Sequence, residues 1–475
     1  MRDQSWIGFA LAGLLGCSET PPGGDAAVEG GADAGSLADV TADAPIDAGR
    51  ALDVGAAIDV WSDAARDVGV MAADAGVDAR ALDAPVPRDA GVDVFTPDVG
   101  TDAADVFTPD VGTDAADVAD AADAGVGVWR PIAVPAGFLA RRAHTAVWTG
   151  TRMIVFGGEN NNVGESRMST GASYQPATDS WSLLPTVGAR ARARHTAVWT
   201  GTRMIVWGGR LNDSDSAGEM YDPATDTWSS ISSLNAPPPR SSGHSAVWTG
   251  TEMIVWGGTA PNGTRYDTGG RYDPARNRWT TLSTTGAPRA RNAHVAVWTG
   301  TEMVVWGGGS SSTLGDGAAY DPARDAWRTV TLTGAPSPRL SPRAVWTGTE
   351  MVVWGGSGGA DLGGAESRNG GIYNPVRDPW TLFETPSVRS VRFNAAAWTG
   401  AEMMVWGGST GSSPEVYVNE GAAFAPASSR LTLLPTLGAP TSRTTPSAVW
   451  TGSEMIVWGG LEGTTLAATG ARYRP

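Results

Sequence analysis

The 475-residue sequence predicts an all-β fold, a closed ring of seven four-stranded blades. Three observations predict it. The phrase A-V-W-T-G-T-E-M-I-V-W-G-G, or a close variant, recurs seven times. Its tryptophans are Trp148, Trp199, Trp248, Trp298, Trp346, Trp398 and Trp450, spaced by 51, 49, 50, 48, 52 and 52 residues. A period of about 50 residues marks one supersecondary unit repeated around an axis. Each unit also reads as four short strands with turn signals and no helical periodicity. Finally, the last unit stops at Tyr473-Arg474-Pro475 without a fourth strand, and an orphan strand stands just before the first unit.

In chain order, residues 1–16 read as an export signal. Trp6 to Leu15 is apolar and too short for a stable membrane span. The run ends in Leu14-Leu15-Gly16-Cys17, which resembles the lipobox of bacterial lipoproteins. That resemblance implies cleavage before Cys17, lipidation of Cys17 and an outer-membrane location, with the rest of the chain facing either side of that membrane.

Residues 17–128 read as a disordered acidic tether. Ala, Asp, Gly and Val dominate, and residues 18–128 carry 24 acids against 4 arginines. Such a segment buries too little apolar area to offset chain entropy. Residues 94–105 recur identically at 106–117, too short a unit for a blade. No calcium-loop pattern accompanies the aspartates. As a flexible coil the segment spans roughly 60 Å.

Residues 129–475 carry the repeats and a net charge of +4 within a chain of −16. In the first unit, His144 to Trp148 meets the turn Thr149-Gly150, and Met153 to Phe156 ends at Gly157-Gly158. A variable stretch and a third strand follow, ending at Tyr174-Gln175-Pro176 (Tyr-Asp-Pro elsewhere), then a turn and Trp181. Thr-Gly between β-rich runs is a hairpin signal, and Tyr-Asp-Pro-Ala-Thr-Asp is a second turn signal. In the first six units the fourth-strand residue precedes the next histidine position by 14 to 16 residues, and Trp129 precedes His144 by 15. The strand at Trp129 is therefore expected to complete the last blade and close the ring.

These residues resemble the kelch repeat: the histidine four before the strand tryptophan, the double glycine, Tyr-Asp-Pro, and the tryptophan seven after that tyrosine. The resemblance spans residues 129–475 and implies a seven-bladed kelch-type β-propeller. The pattern departs at Pro342, Asn394 and Pro446, which replace the histidine, and at Leu431 and Phe424-Ala425-Pro426 in the sixth unit.

Several absences restrict function. There is no lysine, and Cys17 is the sole cysteine. Lysine nucleophiles, a P-loop lysine, thiolate zinc sites and Cys-His dyads are excluded from the repeat region. The copper and Tyr-Cys crosslink of the kelch-like galactose oxidases is excluded with them. Gly355-Gly-Ser357-Gly-Gly359 and Gly407-Gly-Ser409-Thr-Gly411 match G-x-S-x-G. Both lie on the repeated glycine pair, lack the strand-to-helix turn and have no histidine after them.

Three residue sets are candidates for more than scaffold. The hairpin tryptophans either pack between blades or present sugar platforms. His144, His195, His244 and His294 hold one equivalent position, for hydrogen bonding within each blade or for an arc that binds metal. Arg141, Arg192, Arg291, Arg339 and Arg443 lie three residues before the histidine position, with Arg240 and Arg392 displaced by one. Arginine in all seven fourth-to-first-strand loops either braces the loops or forms a circle for carboxylates at the channel mouth. The varied polar segments after each glycine pair suit recognition.

The expectation is an envelope-anchored, monomeric, non-catalytic binding module for a protein or an acidic polysaccharide, with no metal, cofactor or nucleic acid. The acidic tether is expected to compete weakly at the arginine circle. The alternative is a carbohydrate-active enzyme like the kelch-like epimerases, although no acid recurs near the arginine positions.

Overall fold

The computed structural model describes residues 127–160, 167–211, 218–358, 369–385, 392–410 and 415–475. The export signal, Cys17, the acidic segment and its duplication lie outside the described residues.

Seven four-stranded antiparallel sheets form the ring. Blade 1 comprises Thr145–Trp148, Met153–Phe156, Gly171–Gln175 and Ser180–Leu183. The first strands of blades 2 to 7 are Thr196–Trp199, Ser242–Trp248, Val295–Trp298, Arg343–Trp346, Ala395–Trp398 and Ser447–Trp450. First strands of successive blades are neighbours, and that of blade 7 neighbours that of blade 1. The first strands therefore line the axis, and the circle is closed.

Local chemistry explains each blade. The first hairpin is closed by Thr149 N–H donating to the Arg152 carbonyl at 2.9 Å, with the Thr149 hydroxyl accepting from Arg152 N–H at 3.0 Å. Gly150 holds φ 100° at the first central position, where primed hairpin turns need a glycine. The second strand, Met-Ile-Val-Phe, is buried at every residue, as a strand packed on both faces must be.

The expected closure is present. Val128–Pro131 pairs antiparallel with Gly470–Arg474, the third strand of blade 7. One row of partners crosses each blade: Trp148, Met153, Tyr174 and Trp181 in blade 1. In blade 7 the same row reads Trp450, Met455, Tyr473 and Trp129. The two ends of the repeat region thus share one sheet in the same register as an uninterrupted blade.

The tryptophans pack between blades. The aromatic ending each second strand meets the fourth-strand tryptophan of the next blade. Phe156–Trp228, Trp207–Trp279, Trp256–Trp327, Trp306–Trp380, Trp406–Trp129 and Trp458–Trp181 have ring centroids 4.4–5.6 Å apart. The six fourth-strand indoles each donate to a carbonyl of the preceding blade or its exit loop at 2.7–3.0 Å.

The seam between blades 5 and 6 differs. Leu431 has no indole to donate there. Phe383 of blade 5 stacks on Phe424 of blade 6 at 3.7 Å, and Trp354 packs edge-on against both. Two departures of the sixth unit, Leu431 and Phe424, are thus parts of one substitute contact.

Candidate functional site: the loop face of the ring

Strand direction assigns the loops to faces. The fourth-to-first-strand loops and the segments after the glycine pairs leave the sheets at one end. The Thr-Gly hairpins and the Tyr-Asp-Pro turns leave at the other. The arginines and the varied segments therefore share a face, here the loop face.

Six of the seven repeated arginines do not form an accessible circle. Arg141, Arg192, Arg240, Arg291, Arg339 and Arg443 are at most 1% exposed. Each guanidinium donates to the carbonyl of the first glycine of its own blade, at 2.8–3.3 Å. Five also reach a carbonyl at the entry of the third strand, Thr170, Thr268, Asp316 and Thr469 just before it and Asn369 as its first residue. Arg192 instead pairs with both oxygens of the fully buried Glu219.

The backbone of the same arginines joins the blades. Second-glycine N–H groups of Gly158, Gly209, Gly258, Gly308, Gly408 and Gly460 donate to the carbonyls of Arg192, Arg240, Arg291, Arg339, Arg443 and Arg141. These six arginines are loop braces. Backbone carbonyls, joined by Glu219 at Arg192, Asp316 at Arg291 and Glu462 at Arg443, hold the buried guanidinium groups. Burial pulls the Arg141 pKa down to about 9, so it stays charged at neutral pH. Arg392, displaced in sequence, is the exception. It is about one-third exposed and pairs with Glu415 at 3.1 Å.

The histidines are inter-blade staples. The expected bond within each blade is replaced by one to the preceding blade. Nε2 of His195, His244, His294 and His144 meets the hydroxyls of Thr145, Thr196, Ser245 and Ser447 at 2.8–3.1 Å. At the other three seams the hydroxyl and the histidine are missing together: Val295 faces Pro342, Arg343 faces Asn394 and Ala395 faces Pro446. Each imidazole lies in a separate seam with Nε2 engaged. Among the described residues no group of three metal-ligating side chains forms. The glycine pair has its reason here. A Cβ on Gly157 would stand 2.6 Å from His195 Cε1, and one on Gly257 would stand 2.7 Å from His294 Cε1.

The candidate site is a smaller cluster on the loop face. Of its members the sequence reading named only Arg392; Arg142, Arg194, Glu159, Glu415 and Tyr417 do not recur and were missed. Glu159 accepts from Arg142 at 3.0 Å and from Arg194 at 3.3 Å, joining blade 1 to the entry of blade 2. On the same face, Ser409 and Arg392 of blade 6 hold Glu415. Tyr417 feels charges from both groups. Burial, then Glu415, raises its phenol pKa, while Arg142 and Arg392 both act to lower it. Arg142, Arg194 and Arg392 immediately precede the axis-lining strands and keep side chains 15–31% exposed. Three partly exposed guanidiniums, two carboxylates and a phenol thus lie on this face, with Tyr417 within electrostatic reach of Arg142 and Arg392.

The opposite face has an open cleft of 580 Å³ between blades 2 and 3, lined by Arg203, Trp248, Glu252, Asp273 and Arg276. Its arginines are engaged locally, Arg203 by Asp222 at 2.9 Å and Arg276 by Asp273 at 2.6 Å.

Seven four-stranded blades, closed by a strand from the N-terminal side, define a β-propeller. Residues 143–356 match the family model of the KLHDC2/KLHL20/DRC7 Kelch-repeats domain. With the repeat geometry above, the fold is a kelch-repeat propeller, an architecture that suggests a protein-binding module. A comparison with curated proteins finds no match.

Proposed function

We propose that the propeller is a non-catalytic binding module. It takes a carboxylate-bearing segment of a protein or acidic polysaccharide at the channel mouth on the loop face. The supporting observation is the pairing of Arg142 and Arg194, from two blades, on the one Glu159, with a third partly exposed arginine, Arg392, on the same face beside Glu415. Guanidinium forks suit carboxylates, and exchange of Glu159 or Glu415 for a ligand carboxylate conserves the pairing. The recurring tryptophans, the histidines and six of the arginines are used for packing and bracing, so specificity falls to the side chains that differ between blades.

Binding to an array of acidic peptides and glycans is the test. Arg142→Gln with Arg194→Gln is expected to weaken binding about tenfold or more, since tenfold corresponds to about 1.4 kcal/mol. Added salt is expected to weaken the wild-type complex. Array binding unchanged in the double variant contradicts the site.

The reading extends to location. The lipobox-like Leu14-Leu15-Gly16-Cys17 supports an envelope lipoprotein held through an acylated Cys17. Cys17→Ser is expected to move the protein from the membrane fraction to the soluble fraction. A protein that stays membrane-bound after that change is held some other way.

A further inference from the structure

One position of the repeat carries a charge where the other blades carry none. The residue that opens each first strand, or its equivalent, is Thr145, Thr196, Ser245, Val295, Ala395 or Ser447 in six blades. In blade 5 it is Arg343, which begins the strand and pairs across it with Trp354. Arg343 is 7% exposed. Its Nε donates to the Asn394 carbonyl at 2.6 Å, and among the described residues no carboxylate pairs with it.

That arrangement is costly. A buried guanidinium without a counter-charge loses far more hydration than one hydrogen bond returns. Burial pulls the Arg343 pKa down to about 10, with no neighbouring acid to restore it, so the group is still a cation at neutral pH. Arg141, equally buried, is surrounded by carbonyl acceptors, and Arg192 has Glu219. Arg343 has one carbonyl.

The facing residue departs from the repeat in the same seam. Asn394 replaces the histidine, is 2% exposed, and its Oδ1 has no partner. In the four stapled seams an imidazole and a hydroxyl bond to each other at this place. Here the hydroxyl has become a cation and the imidazole a shorter amide. A half-turn of that amide offers its N–H groups in place of the orphan oxygen.

We propose that Arg343 and Asn394 form a binding site for a single carboxylate, in the seam between blades 5 and 6 beside the channel. Nε is committed to the Asn394 carbonyl, so the Nη1–Nη2 edge is what remains. Two parallel donors match the two oxygens of a planar carboxylate. One negative charge neutralises the one cation, whereas a doubly charged phosphate or sulfate leaves a net charge buried. The Asn394 amide donates to the same anion. This site uses none of the side chains of the loop-face cluster, although Asn394 stands two residues after Arg392 in the chain.

Acetate is the probe. The melting temperature of the full chain is measured at pH 7 in sodium acetate, chloride, sulfate and phosphate at matched ionic strength. The wild type is expected to gain a few degrees in acetate over chloride, rising with concentration as ligand linkage requires. Arg343→Met is expected to lose that gain. Arg343→Thr with Asn394→His rebuilds the staple of the other seams, so it is expected to fold and also to lose the gain. An equal acetate effect in the wild type and both variants, or none in the wild type, overturns the site. A larger Arg343-dependent gain in sulfate or phosphate overturns the choice of carboxylate.

Discussion

Replacing Trp129 by alanine is expected to lower the melting temperature by roughly 4–7 °C. The residue lies more than 300 positions from the strands it completes. Trp129 is 3% exposed, stacks near Trp406 and Tyr473, and donates its indole N–H to the Pro435 carbonyl at 2.9 Å. Removing a buried aromatic of this size costs about 3–5 kcal/mol, and in a domain this large each kilocalorie moves the midpoint by about 1.4 °C. Trp228→Ala, inside an uninterrupted blade, is the matched comparison, with the same contacts to Phe156 and the Pro185 carbonyl. Equal losses mean that the closing strand supports the ring as fully as any other. A Trp129 variant that melts like the wild type contradicts closure by this strand.

The second large effect is acid lability. His144, His195, His244 and His294 are buried and neutral. Desolvation is the leading cause for each, with Arg141, Arg192, Arg240 and Arg291 respectively adding repulsion. His144 and His244 are held down to about 3, and the other two well below the ordinary range. Unfolded histidine titrates near pH 6.5. Below that pH the unfolded chain takes up protons that the folded ring refuses, so stability present at neutral pH is lost as pH falls. Each such proton is worth about 1.4 kcal/mol per pH unit, and four together about 5 kcal/mol per unit. Against a typical stability of 5–15 kcal/mol, the ring is expected to unfold between about pH 6 and 4.

The lowered carboxylate pKa values of Asp222, Asp273, Asp321 and Asp325 add losses only at lower pH, near their own range. Stability measured by denaturant titration between pH 7 and 4.5 gives the proton count directly. Ser245→Val with His294→Pro copies the pair at the seam between blades 4 and 5, and is expected to remove one proton from the slope. A flat profile across that interval contradicts neutral, buried staples.

The architecture was legible because it rests on counting. Trp129 could be placed in blade 7 since its distance to His144 matches the spacing between complete units, and the Trp129–Tyr473 register agrees. The arginines illustrate what counting misses. Recurrence in a loop looks the same for a brace and for a ligand contact. What separates them is the pair of carbonyls, Gly157 and Thr170 in the case of Arg141, that only the folded chain brings together.

The direction of the histidine bonds was legible in principle. Thr145, Thr196, Ser245 and Ser447 stand one blade before each histidine, and Val295 and Ala395 stand before Pro342 and Pro446. That pairing spans two repeats, and a reading of single repeats passes over it. Arg142, Arg194 and Glu415 gave no repeat signal. Their relation is purely spatial, made between blades.

The central claim is that the regular residues build the ring and that recognition belongs to the irregular ones on the loop face. Binding of the intact protein to acidic peptide and glycan arrays tests it most directly, with two sets of neutralised variants compared. One carries Arg142→Gln, Arg194→Gln and Arg392→Gln, and the other carries Glu252→Gln, Glu302→Gln and Glu454→Gln on the opposite face. Loss of array binding in the arginine set alone, with both sets folded, is the predicted result. Retained binding in the arginine set, or loss confined to the glutamate set, contradicts it.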